Sequence, residues 1–244
     1  KIPVEKLLIP TLHFRYFEHV LMKELTEFFS ERFNIRKSLI RSAIRNADSA
    51  QEKFEKSLIS YGREVLNTIP DNCRPVVILG RPYNSTDEHL NLGLIEKLIS
   101  QDVMPIPLDF LDLSAFNIFE NYRSMYWPNG QKIIAAAQLV AKDDRLHAVY
   151  LSNFRCGPDS FLLHYVNEEM KGKPFLHLEV DEHSADAGMI TRIEAFLDSL
   201  IGSEMNKKEP GEIFRPRPSP SAPRKDRVLY FPYMNDNSYA VAAA

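Results

Sequence analysis

The chain has 244 residues, of which 44% are hydrophobic and 26% charged, as is typical of a folded globular protein. Its formal net charge is −3, so no overall positive field favours nucleic acid or an anionic membrane as a partner. The two cysteines, Cys73 and Cys156, lack the spacing of a zinc site or a disulfide framework. The apolar runs are shorter than the ~20 residues that cross a bilayer, and we expect a protein of the reducing cytoplasm.

Apolar residues recur at helical spacing in the first part of the chain. One series runs from Phe14 to Phe28, and a second runs from Leu39 to Leu58 and predicts a long helix that ends near Tyr61 and Gly62. The sequence therefore predicts an N-terminal helical hairpin within residues 1–70, which we expect to cover a neighbouring sheet.

Short apolar runs alternate with helical segments after Pro75, the pattern of an α/β fold with a three-layer parallel sheet of about four strands, Rossmann-like or flavodoxin-like. The prolines in the second run, VMPIPL, indicate an edge strand or a strand end. We assign residues 71–202 to this domain and residues 203–227, rich in proline and basic residues, to a linker. Residues 228–244 resemble the truncated start of a further α/β unit, so we expect a piece of a longer polypeptide.

The chemistry of a parallel sheet is expected at the carboxyl ends of its strands, where loops and helix N-termini converge. After the first strand, Gly80 to Asn84 read GRPYN. The guanidinium of Arg81 is suited to clamping a carboxylate or phosphate, and Tyr83 and Asn84 add a phenol and an amide. An equally open alternative is a rigid turn with Tyr83 packed over the sheet edge.

Cys156 and Gly157 follow the third strand in the motif NFRCGPDSF, together with Asn153 and Asp159. A cysteine at the start of a helix is favoured as a thiolate, which attacks carbon or binds a soft metal. A nucleophilic role requires a base, for which His164 or His183 are candidates. The motif alone also allows a small, buried core residue.

A third polar loop, DEHSADAG, follows the fourth strand. Glu179, Asp181 and His183 share one face if the strand continues, which allows a hard-metal site. The competing interpretation is that these residues solvate the strand end, with Asp181 pairing to Arg192 of the next helix. We include Asp181 and His183 among the candidate pocket residues.

Four segments together resemble the 2-hydroxyacyl-CoA dehydratase family: GRPYN, LNLGLIEKLIS, NFRCGPD and LHLEVDEHSADAGMITRIEAFL. The similarity is strongest to large fused members, in which ATP-hydrolysing activase domains precede a dehydratase-like reductase region. The resemblance covers roughly residues 70–200. It implies that Cys156 ligates an iron-sulfur cluster of the 4Fe-4S type, with the other ligands outside this chain, and that the partners are activase domains and an acyl-CoA substrate.

The sequence departs from this family at two positions. Asn84 and Leu92 stand where the relatives typically carry histidine, so neither position supplies the titratable group expected of a proton-transfer site. Because the resemblance places the other cluster ligands and the activase domains outside this chain, we expect the isolated chain to bind no cluster and to be inactive. Two other hypotheses stay open: a non-catalytic docking domain for the activase domains, and an enzyme with Cys156 as nucleophile.

Overall fold

Four parallel strands form the centre of the fold. Arg74 pairs with Val103, Val76 with His147 and Val149 with Leu176, so the strands are all parallel and β2 lies at one edge. The order β2-β1-β3-β4 is the flavodoxin-like order, and the prediction of a parallel α/β sheet is confirmed. The strands are β1 Arg74–Gly80, β2 Val103–Pro107, β3 His147–Asn153 and β4 Leu176–Val180.

The chain is described from a computed structural model that covers residues 3, 7–14, 16–70, 73–170, 172–181, 183 and 186–205. All of these residues belong to one unit, 1–208. The helices are α1 Glu18–Phe33, α2 Lys37–Asn67, α3 Pro82–Thr86, α4 Leu94–Ile99, α5 Ile118–Asn121, α6 Pro128–Lys142, α7 Gly157–Met170 and α8 Asp186–Met205, with a 3₁₀ turn at Leu108–Phe110.

Helices cover both faces of the sheet, which is why its central strands are apolar on both sides. Val77 and Leu79 of β1 pack with α6 and α7 on one face. Val76 and Ile78 alternate to the other face, where they pack with α4 and α8. The result is the predicted three-layer arrangement.

The edge position of β2 explains its two prolines. Pro105 and Pro107 each lack the N–H group that a central strand donates, and β2 has a neighbour in this sheet on one side, β1. The prediction of an edge strand from the sequence VMPIPL is confirmed.

The N-terminal helices α1 and α2 form the predicted hairpin, joined through Asn34 in the left-handed conformation. Met22, Ile40 and Ile44 are buried between them. The predicted end of α2 near Gly62 is wrong, because the helix continues to Asn67. A Cβ atom at Gly62 would lie 2.0 Å from the carbonyl oxygen of Phe110, so this glycine permits a close packing contact rather than ending the helix.

Two further boundaries differ from the prediction. The sequence EHLNLGLIEKLISQ predicts a helix from Glu88 onward. Helix α4 begins only at Leu94, because Leu92 and Gly93 adopt positive φ angles of 56° and 64°. Helix α8 continues to Met205, past the predicted start of the linker at residue 203. The rest of that linker and the predicted unit at 228–244 lie outside the described residues.

Candidate functional site

Polar side chains converge where the strand order of the sheet reverses. β1 and β3 are adjacent, and the connections that follow them lead to opposite faces of the sheet. In sheets of this kind, ligands bind outside the carboxyl ends of two such strands. Gly80 ends β1 and Asn153 ends β3. Arg81 directly follows Gly80 and Cys156 lies three residues after Asn153, so both belong to the loops that form the candidate site.

A largely buried ion pair connects the two loops. Arg81 Nη2 donates to Asp159 Oδ2 over 2.7 Å, and the exposed fractions of the two side chains are 14% and 3%. Burial acts to lower the pKa of Arg81, but the nearby Asp159 and Cys156 outweigh it and raise that pKa. The guanidinium is thus a fixed positive charge at the centre of the site.

Cys156 shares the same guanidinium. Arg81 Nη2 lies 3.4 Å from Cys156 Sγ, within hydrogen-bonding distance for sulfur. Cys156 is partly exposed and immediately precedes α7, so the interpretation as a buried core residue is wrong. Arg155 adopts a positive φ of 58° just before it, and this left-handed residue turns the chain from β3 into α7.

Asp159 has two more contacts that fix the first turn of α7. The backbone N–H of Asn153 donates to Asp159 Oδ2 over 3.0 Å. The hydroxyl of Tyr150 donates to the backbone oxygen of Asp159 over 2.9 Å. Burial, together with the charge of Asp159, raises the pKa of Tyr150 far above its usual range, so this phenol stays a donor.

The first loop supplies one exposed and one buried side chain. The ring of Tyr83 lies 4.9 Å from Cζ of Arg81, in the geometry of a cation–π contact. Asn84 is fully buried, and neither of its amide atoms has a hydrogen-bond partner among the described residues. Arg81 Nε is buried and unpaired in the same part of the chain. Such unsatisfied polar atoms indicate where a water molecule or a polar ligand would bind.

The residues after β4 lie at the same edge of the sheet. Asn153 pairs with Val180, and Asp181 comes next, its Oδ1 accepting the backbone N–H of His183 over 2.9 Å. Arg192 donates to the carbonyl oxygen of His177 over 2.6 Å. Within the described ranges, no group of three or more His, Cys, Asp or Glu side chains is placed to hold a metal ion.

The two histidines proposed as bases for Cys156 are placed differently. His164 lies two turns into α7, and its Nε2 is 3.4 Å from Glu168 Oε1. His183 follows the end of β4, where its backbone N–H is held by Asp181. The thiol of Cys156 contacts Arg81, which is a hydrogen-bond donor and not a base.

A Ser–His contact that the sequence did not indicate lies beside this network. Ser152 Oγ is 2.7 Å from Nε2 of His177, whose ring stacks on Tyr150 at 5.5 Å. Burial lowers the pKa of His177, and Arg192 acts in the same direction. Ser152 is buried, and the contact ties β3 to β4 at the edge of the sheet.

A large apolar groove adjoins Cys156. It has a volume of about 1190 Å³ and runs between residues 120–127 and the first two turns of α7. Phe161 and Tyr126, with exposed fractions of 71% and 75%, form part of its lining. Gly157 and Pro158 line its end nearest to Cys156. The aromatic residues of one wall belong to the sequence segment MYWPNGQK, which the fold places against α7.

The structure therefore brings together Arg81, Tyr83, Asn153, Cys156 and Asp159, as expected for residues that follow neighbouring strands. Asn84 is buried beneath them, and Asp181 and His183 follow the adjacent strand. Tyr150 was missed because a tyrosine in a buried strand is usually core. None of the described helices is both long and apolar enough to cross a membrane.

Comparison with known proteins gives one family. Residues 3–111, less than half of the chain, match the family model described as CoA enzyme activase uncharacterised domain. The match includes the N-terminal hairpin, β1 and Arg81, but ends before Asn153, Cys156 and Asp159. No curated protein and no solved structure matches the sequence. Over residues 3–111 the chain is therefore similar to a CoA enzyme activase domain.

Proposed function

We propose that this chain is a domain of an ATP-dependent iron-sulfur reductase or dehydratase that acts on 2-hydroxyacyl-CoA or a related thioester. Cys156 supplies one thiolate ligand to its 4Fe-4S cluster. The observation that carries this proposal is the contact of the Arg81 guanidinium with Cys156 Sγ at the switch point of the sheet. The match to a CoA enzyme activase domain supports the same class of chemistry.

The surroundings of Cys156 fit a metal-bound thiolate. The Nη2 group of Arg81 carries two N–H bonds, one for Asp159 and one for the sulfur. The start of α7 adds the positive end of a helix dipole. Both features stabilise negative charge on sulfur, and hydrogen bonds to ligating sulfur shift a cluster's reduction potential.

The described residues supply only one such ligand. Cys73 precedes β1, and Cys156 lies beyond the other end of the sheet, roughly 25 Å away at about 3.3 Å per strand residue. The proposal therefore requires further cysteines from outside residues 1–244, on the same or a partner polypeptide. The cluster would supply one-electron transfer at low potential.

The apolar groove is the proposed site for the acyl group of the thioester. Its volume of about 1190 Å³ accommodates a ligand larger than a typical drug, and its aromatic lining suits an apolar chain. Tyr126 and Phe161 would exclude water from the acyl group, while the guanidinium of Arg81, which contacts Cys156, would orient polar atoms at that end of the groove. These residues bind and orient the substrate, and we assign none of them a proton transfer.

Iron analysis of matched cysteine variants tests the proposal. Protein isolated anaerobically from its native source, with the polypeptides that co-purify, is compared with Cys156→Ala and Cys73→Ala. We expect Cys156→Ala to lose most of the iron and the visible absorbance, and Cys73→Ala to keep both. Circular dichroism confirms that the variants are folded. Equal iron in all three proteins would reject the ligand assignment.

The alternative is a non-catalytic docking domain of the same protein. Its support is the exposed apolar surface of α2, where Leu39, Phe54 and Tyr61 are more than half exposed. It predicts that Cys156→Ala leaves electron transfer unchanged, whereas Phe54→Glu disrupts assembly with the activase domains.

A further inference from the structure

A basic cleft lies beside the contact between α1 and α2, and none of its lining residues belongs to the site described above. It has a volume of about 540 Å³, within the range of small-molecule sites. Lys37, Arg41 and Arg45 lie four residues apart on α2, so they form one ridge along the cleft. Lys23 and His19 of α1 line it as well. A chain with a negative net charge thus concentrates positive charge here.

The positive charges of this cleft are only partly compensated. Its carboxylates are Glu18 and Glu27, and Glu27 lies 3.8 Å from Lys23. Among the described side chains, no carboxylate is within ion-pair distance of the three cations on α2. Four cations against two carboxylates leave an excess of two positive charges.

The N-terminus of α2, the helix that carries these cations, lacks a negatively charged partner. The N-terminus of a helix is its positive end and is stabilised by acidic side chains or anions. α2 has no acidic residue in its first turn, its N-cap Arg36 makes no side-chain capping bond, and Lys37 is its first residue. The missing negative charge is what a bound anion would supply.

A polar atom without a partner lies in the same cleft. Thr26 lines it, and Thr26 Oγ1 is buried and has no hydrogen-bond partner among the described residues. A buried hydroxyl without a partner is unfavourable, and an anion oxygen in the cleft would accept its hydrogen bond.

We propose that the cleft between α1 and α2 binds a small polyanion of the diphosphate class, either free or as part of a nucleoside diphosphate. Lys37, Arg41 and Arg45 neutralise its charge, and Thr26 donates to one of its oxygens. A diphosphate fits better than a single phosphate because the ridge of cations extends over two turns of α2, about 12 Å. This site is independent of Cys156 and of the function proposed above.

Calorimetric titration of the protein with inorganic pyrophosphate, ADP, inorganic phosphate and sulfate at 50 mM NaCl tests the proposal. We expect submillimolar binding of pyrophosphate or ADP, and at least about tenfold weaker binding of phosphate and sulfate. Tighter binding of ADP than of pyrophosphate identifies the nucleotide as the ligand, and equal binding identifies the free diphosphate. Binding should weaken at 300 mM NaCl, because salt screens exposed charges.

Variants localise the binding to the cleft. Arg41→Gln with Arg45→Gln should weaken pyrophosphate binding at least about tenfold, and Thr26→Val should weaken it several-fold while keeping the side-chain volume. The control, Lys53→Gln with Lys56→Gln, removes the same charge from exposed positions of α2 outside the cleft and should bind as the unmodified protein does. The absence of binding at millimolar pyrophosphate, equal binding of sulfate, or equal effects of the two double variants would each overturn the proposal.

Discussion

Arg81 donates to Asp159 over 2.7 Å and thereby ties the end of β1 to the first turn of α7. Both side chains are largely buried, so removing one partner leaves the other charge without compensation. We expect Asp159→Ala to lower the free energy of unfolding by about 3 kcal/mol, measured by urea denaturation.

The control for this variant is Asp186→Ala. Asp186 also pairs with a cationic side chain, Lys97 at 3.2 Å, but the side chain of Asp186 is mostly exposed. An exposed pair contributes little, so a change of about 0.5 kcal/mol is expected. Similar losses of unfolding free energy in the two variants would show that the Arg81–Asp159 pair stabilises the fold no more than an exposed ion pair does.

Gly62 and Gly188 give a matched pair of helix substitutions. An alanine Cβ at Gly62 would meet the backbone of Phe110, whereas a Cβ at Gly188 meets no atom within 4 Å. Gly188→Ala should stabilise the protein by about 0.5 to 1 kcal/mol through helix propensity. Gly62→Ala should destabilise it by about 3 kcal/mol despite the same gain in propensity, because α2 must move away from the 3₁₀ turn. Thermal unfolding of both variants measures the contrast, and equal shifts would contradict it.

The lowered pKa of His177 predicts a dependence of stability on pH. Burial and Arg192 disfavour the protonated ring in the folded state, so the unfolded chain binds this proton more readily. The contribution of neutral His177 is full well above pH 6.5, decreases as the pH falls through that value, and is lost below the lowered folded pKa.

Urea midpoints at pH 7.5 and 5.5 measure this dependence. The unmodified protein should lose more stability over this interval than His177→Gln does. The control His89→Gln, at an exposed histidine, should behave as the unmodified protein. A pH dependence that is unchanged in His177→Gln would assign the effect to other groups.

The groove proposed to bind the acyl group can be probed through the only tryptophan of the chain. Trp127 lines the groove together with Phe161. Titration with an acyl-CoA should change the fluorescence of Trp127, whereas free coenzyme A should change it less, because only the acyl chain enters the groove. Phe161→Ala should weaken the response about tenfold. A response that is the same for both ligands would reject the groove as the acyl site.

Much of the fold follows from local patterns in the sequence. The runs PVVILG and LHAVYLS predict buried parallel strands, and the prolines of VMPIPL predict an edge strand, because each pattern has a direct physical cause. The exact ends of α2 and α4 could not be predicted. Gly62 is a packing contact with Phe110, distant in sequence, and Leu92 adopts a left-handed conformation that is rare for leucine.

The candidate site was predictable only in part for a related reason. Strand ends indicated Arg81 and Cys156, since parallel strands bring their carboxyl ends together. The contacts of Arg81 with Cys156 and with Asp159 join residues that are more than 70 positions apart in the sequence, so no local pattern indicates them. The burial of the Asn84 amide likewise depends on the packing of the whole fold. The groove beside α7 likewise arises from tertiary packing.

The most direct test of the central claim is the electron paramagnetic resonance spectrum of the reduced protein, isolated anaerobically with its co-purifying polypeptides. Cys156→Ser replaces a sulfur ligand by oxygen, so we expect a cluster signal with altered g values or lower intensity. Cys73→Ser should give the unmodified spectrum. A cluster signal that is identical in Cys156→Ser and in the unmodified protein would contradict the assignment of Cys156 as an iron ligand.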